Sequence, residues 1–212
     1  MSTVYTLNGK VLKNSSNDKW LAKKYVDPLN PIGLPDNTIR VKFNSGYTPT
    51  NIGDTQTLVD STNNVWDIYK QSNDWTNLFK DNNNLLEVLG ANTYNVTNMK
   101  SMFNNCTSLI TTSLFDTSNV TTMQSMFEMP YPGNAALTLI PLFDTSNVTN
   151  MTGMFYNCNK VESGALALYQ QASTQANPPS NHSNTFFHCG FDSSTGSDEL
   201  RQIPRNWGGL GA

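Results

Sequence analysis

The sequence predicts an α/β repeat solenoid preceded by a small β-rich unit, and three observations carry that prediction. First, Phe115-Asp116-Thr117-Ser118-Asn119-Val120-Thr121 recurs as Phe143-Asp144-Thr145-Ser146-Asn147-Val148-Thr149, with a worn copy at Ala91-Asn92-Thr93-Tyr94-Asn95-Val96-Thr97. Second, each copy leads into the same apolar phrase: Met99, Met102 and Phe103, then Met123, Met126 and Phe127, then Met151, Met154 and Phe155. The steps from Phe79 to Phe103 and from Phe103 to Phe127 are both 24 residues; Phe127 to Phe155 is 28 and Phe155 to Phe186 is 31. Such a period marks units that bury apolar faces against their neighbours. Third, charge divides the chain: residues 1–43 hold seven Lys/Arg against three Asp/Glu, and residues 44–212 six against thirteen.

Residues 1–60 read as a β-rich N-terminal attachment unit. Val4–Leu7, an Asn8-Gly9 turn and Lys10–Lys13 suggest a hairpin. Thr38–Phe43 alternates apolar and polar residues as a half-buried strand does, and the Pro-rich stretches between them read as loop. Below about 70 residues a lone core is weak, so this unit is expected to pack on the repeat or on another chain. Residues 61–74 form the junction, where Trp66, Ile68 and Tyr69 can close the open end of the repeat.

Residues 75–162 are the repeat proper. Trp75 stands in the first Met slot of a degenerate leading unit, with Phe79 behind it. Val120, Met123, Met126 and Phe127 fall at i, i+3, i+6 and i+7, which reads as one helical face. Asp116 to Asn119 offer capping acceptors for that turn, and Cys106–Leu114 is β-branched, short and turn-bounded, as a strand is. One short parallel strand and one short helix per roughly 24 residues would make a right-handed, leucine-rich-repeat-like coil. The five phenylalanines should then share one buried column. Residues 163–212 form a C-terminal cap. A helix is expected from a Ser163 cap to Ala176, with Leu166, Tyr169, Ser173 and Ala176 on one face, and a second opens at Ser197. Between them Phe186-Phe187-His188-Cys189 is a last trace of the repeat.

The phrase Asp-Thr-Ser-Asn-Val-Thr-x-Met-x-x-Met-Phe-x-x-Cys resembles the BspA-like leucine-rich repeats of gut bacteria, mycoplasmas and the viruses of gut bacteria. The resemblance is strong over about residues 75–165 and weak over 166–207; it does not reach residues 1–60. It implies a surface module that contacts host proteins or glycans, with no catalytic residues to carry over.

Composition agrees with a folded, non-catalytic module. The 29 Asn, 24 Thr and 19 Ser replace charged residues, which are only 14% of the chain, and such side chains favour turns and caps. A pI of about 5.2 argues against nucleic acid, and no apolar run is long enough for membrane insertion. The first ten residues lack the basic-then-apolar pattern of a secretory signal, so none is expected in this chain. Cys106, Cys158 and Cys189 share one slot of the repeat and read as small interior residues, with Cys106 and Cys158, two units apart, too far from each other for a disulfide. His182 and His188 have no paired nucleophile, so no enzyme is expected. Asp116 and Asp144 read as turn caps rather than calcium ligands, so neither metal nor cofactor is expected.

The outward strand positions are the expected ligand-binding face. If Leu109, Thr112 and Leu114 point inward by analogy with the family, then Ile110, Thr111 and Ser113 point outward, with Glu87 and Leu89, Thr138 and Pro141, and Glu162 as their counterparts. The expected function is recognition or adhesion from a phage virion appendage, in the tail or on the capsid, that contacts a host surface protein or glycan. The N-terminal unit would join other virion or surface-assembly subunits. A bacterial cell-surface adhesin and a purely architectural subunit are the alternatives, and homo-oligomerisation is left open.

Overall fold

The structure is a computed structural model that describes residues 5–7, 10–12, 32–133 and 135–211, with side chains from residue 32 onward. Strands β1 (Tyr5–Leu7) and β2 (Lys10–Leu12) pair antiparallel, Leu7 opposite Lys10. The expected Asn8-Gly9 turn and the Pro-rich loop at 27–31 lie outside the described residues.

A five-stranded mixed sheet is the main regular element. It contains β3 (Thr38–Phe43), β4 (Thr55–Asp60), β5 (Val65–Tyr69), β6 (Leu85–Asn92) and β7 (Thr111–Thr112), in the order β4-β5-β3-β6-β7. Only the β6–β7 pair is parallel. β3 follows its alternation: Ile39, Val41 and Phe43 are buried, while Arg40 and Lys42 face outward and pair with Asp67 and Glu87. Register shifts at Arg40/Val41 and Lys42/Phe43 kink β6 against β3, as bulges do.

The expected α/β solenoid of strand–helix units is not what the chain forms. Among the described residues of 75–162 there is no helix, and the only regular strand pairing is the two-residue β7 against β6. The reason is backbone handedness. Asn77, Ser101, Ser125, Gly153 and Asn184 have φ between 52° and 63°, and Asp81, Asn105, Asn157 and His188 between 54° and 63°. Two left-handed residues in nearly every unit forbid a right-handed helix there, so the Met-x-x-Met-Phe phrase folds as consecutive tight turns. Met102, Asn104 and Cys106 donate their N–H groups three residues back, to Met99, Ser101 and Phe103. The intervening amides of Met99, Ser101, Phe103 and Asn105 donate instead to the carbonyls of Thr122, Gln124, Met126 and Glu128 in the next unit. Equivalent bonds join 75–81 to 98–104, 123–129 to 150–156 and 151–157 to 181–187. The phenylalanines do stack in one buried column, with ring centroids 5.5, 5.2, 5.1 and 6.0 Å apart from Phe79 through Phe103, Phe127 and Phe155 to Phe186.

The extended side of each unit also departs from expectation. Burial recurs every third residue, at Leu109, Thr112 and Phe115 and again at Leu137, Ile140 and Phe143, whereas a pleated strand alternates every second. Two residues in three are thereby turned away from the core.

At the C-terminal end, helix α1 is Ala165–Thr174 and α2 is Ser194–Leu200. The expected Ser163 cap is absent: Gly164 occupies the cap position at φ 102° and no side chain of its own caps the helix. The Glu199 carboxylate of α2 accepts from the amides of Gly164 and Leu166 instead. The fully buried residues of α1 are Ala165, Leu168 and Ala172, while Leu166 and Tyr169 of the expected stripe pack against the core only partly buried. α2 starts earlier than expected, with Ser193 Oγ accepting from Gly196 N. Among the described residues no helix is long and apolar enough to cross a membrane.

Candidate functional site

The repeated polar phrase is consumed in scaffolding. Asp116 and Asp144 each accept from the amide two residues on, at Ser118 and Ser146. The buried Thr93 and Thr117 hydroxyls donate to the carbonyls of Asp116 and Asp144 one unit ahead. Asn119 and Asn147 donate one unit back, to the carbonyls of Tyr94 and Ser118. Thr121 and Thr149 do likewise to Thr97 and Thr121. Among the described residues no group of three or more His, Cys, Asp or Glu could hold a metal ion.

The cysteines are interior, and all three are free thiols. Cys106 Sγ donates to Phe79 O and Cys158 Sγ to Phe127 O, each at 3.0 Å. Burial pushes the Cys106 thiol up to about 12 and raises those of Cys158 and Cys189 as well. Since thiolate is the reactive form, iodoacetamide at pH 8 should leave all three unmodified in the native chain and alkylate all three after denaturation. Intact-mass measurement reads the difference; native labelling at Cys106 would contradict its place in the core. The histidines are half-buried, His182 stacked on Trp207 at 4.2 Å and His188 between Phe187 and Phe191.

The sequence-predicted face falls into two rows rather than one. Glu87 and Thr111 are direct partners across β6 and β7, and Leu139 bridges Ser163 in the equivalent row further on. Thr138 and Glu162 also lie side by side, Glu162 N donating to Thr138 O, but in the adjoining row with Ile110, whose amide donates to Leu86 O. Ile110, Thr111, Thr138 and Glu162 are exposed, and Glu87, Leu89 and Pro141 are half-buried. Glu87 is engaged by Lys42 at 2.9 Å, which removes it as a free acceptor. Ser113 is a correction: its hydroxyl is buried rather than presented outward. Leu114 is another, being 38% exposed where an inward position was expected.

Three exposed residues of this face were not among the expected outward positions. Leu114, Leu139 and Leu142 join Ile110 as aliphatic side chains 38–52% exposed. Leu114 and Leu142 immediately precede Phe115 and Phe143, whose rings pack 5.1 Å apart, so the two leucines hold equivalent places in successive units. The signal that finds them is burial at every third residue.

Turn units joined by their backbone amides, with a polar phrase bonded from unit to unit and leucines exposed beside it, define a repeat protein. The chain belongs to the family described as "Mycoplasma protein of unknown function, DUF285", which matches residues 61–187, more than half of its length. No curated protein and no solved structure matches the chain.

Proposed function

We propose that the chain is a non-enzymatic recognition module that presents the face of Ile110, Thr111, Leu114, Thr138, Leu139 and Leu142 to a host surface protein or glycan. The observation that carries this reading is the exposure of Ile110, Leu114, Leu139 and Leu142 on successive units of one scaffold. Exposed apolar patches mark interaction sites, and the exposed Thr111 and Thr138 adjoin Ile110 and Leu139 in the chain. The resemblance of the repeated phrase to BspA-like proteins supports the same role. The setting we favour is a phage virion appendage, with the basic start of residues 1–60 attaching it to other subunits of the particle.

Replacing Thr111 and Leu139 by Arg places two charges in one exposed row without touching the core. Host-cell binding should fall by about tenfold or more, since central interface positions carry most of the affinity, while the melting temperature stays within a degree or two of the parent. Equal binding by the folded double variant would remove this face from the function. Immunoblotting of purified particles against host envelope fractions decides the setting; protein found only in the envelope fraction would make it a bacterial adhesin.

A further inference from the structure

A concavity lies beside Lys42, between the loop after β3 and the β4–β5 turn. It is an open cleft of about 440 Å³, within the range of small-ligand sites. Its apolar wall is Trp66, Tyr47, Leu58 and Leu86, and its rim carries the hydroxyls of Ser45, Thr48, Ser61 and Thr62. The two aromatic rings are fixed in place. Trp66 Nε1 donates to Asn64 Oδ1 at 2.8 Å, and the Asn64 amide donates to the carbonyls of Asn44 and Tyr47, each at 2.7 Å. The Tyr47 ring packs on Phe43 at 5.0 Å, and its hydroxyl accepts from the Asn82 amide. The cleft has one charged lining residue, Lys42, and Glu87 already neutralises it.

The geometry points to a binding site for a neutral pyranose. A pyranose presents one face of C–H bonds and a rim of hydroxyls. A half-buried indole with a polar tip gives the first a flat apolar partner, and a rim of uncharged hydroxyls gives the second exchangeable donors and acceptors. Because the indole N–H is already bonded to Asn64, the ring is held before the ligand arrives, which lowers the ordering cost of binding. The lack of an unpaired cation in the lining disfavours an acidic sugar. This inference deepens the recognition reading, on which it rests, by naming one ligand class and a site apart from the aliphatic face.

The test is an NMR titration of the full chain with methyl α-mannopyranoside, methyl β-galactopyranoside, methyl β-glucopyranoside and N-acetylglucosamine, and with a methyl sialoside as the acidic arm. The indole N–H signal of Trp66 is assigned through its loss in Trp66→Phe. At least one neutral pyranoside should shift that signal saturably. Affinity for it should drop at least about tenfold in Trp66→Ala and equally in Thr62→Trp, which fills the cleft from an exposed loop residue and leaves the core intact. Host-cell binding is measured on the same samples. No shift with any neutral pyranoside while cells still bind overturns the saccharide assignment and leaves the recognition reading standing. So does affinity unchanged in Thr62→Trp, or binding of the sialoside alone. Loss of both saccharide and cell binding in the parent chain overturns both.

Discussion

Phe103→Ala is expected to destabilise the chain by about 3–5 kcal/mol. The ring is fully buried and lies at 5.5 Å from Phe79 and 5.2 Å from Phe127, so its removal takes contacts from the units on both sides. The cavity cannot close easily, because the backbone around it is tied at alternate residues to its neighbours. Phe103 N donates to Met126 O, and Phe79 N to Met102 O, both at 2.8 Å. For a domain of this size the loss corresponds to a fall in melting temperature of roughly 6–20 °C. Hydrogen exchange should accelerate at the amides of residues 75–81 and 123–129 as well as at the site itself. A melting temperature within experimental error of the parent would show that the column does not carry the stability assigned to it.

The second large effect is expected at Gly196, in the middle of α2. A methyl group there would lie 2.1 Å from the Val161 carbonyl oxygen and 2.7 Å from Gly190 Cα, both backbone atoms. No rotamer relieves such a clash, so α2 must move as a body. Overpacking ordinarily costs about 1–3 kcal/mol, and Gly196→Ala should reach or exceed the top of that range. The damage should reach α1 too, since Glu199 on α2 accepts from the first amides of α1. Ser194→Ala, at an exposed position of the same helix, should be close to neutral. Equal melting temperatures for Gly196→Ala and Ser194→Ala would refute the close approach.

The sequence tells which side chains are buried in the repeat but not how the backbone carries them. Met99, Met102 and Phe103 recur because a packed column demands like residues in like places, and that demand is visible as spacing. Spacing of three and four residues, however, is produced by a helix and by consecutive tight turns alike. What separates the two is the small residue between the methionines: Ser101, Ser125 and Gly153, matched by Asn77 and Asn184 in the outer units, all left-handed. Asn and Gly accept that conformation most readily, so Asn77, Gly153 and Asn184 carried a legible sign against a helix, while Ser101 and Ser125 did not. Other features are not local at all. The cap of α1 comes from Glu199, 33 residues beyond Leu166, and no local motif marks it. On the candidate face, Ile110 and Thr111 were legible as outward residues, while Leu114 was placed inward by analogy and Leu139 and Leu142 were not singled out, because the burial period of three continues past Thr112 to Phe115. Trp66 and Tyr47 form one cleft only because Asn64 ties the β4–β5 turn to the loop after β3.

The alternating backbone bonds bear on biosynthesis. In each unit the amides at 75–81, 99–105, 123–129 and 151–157 find their acceptors in residues made later, and Phe186 N finds its own at Trp207 O, near the end of the chain. A ribosome thus delivers the donors first. At every stage of synthesis the newest unit therefore holds buried-type donors with nothing to receive them, and an unpaired buried amide is costly. Each unit is completed by its successor, and the segment around Trp207 plays that part for the unit at 181–187.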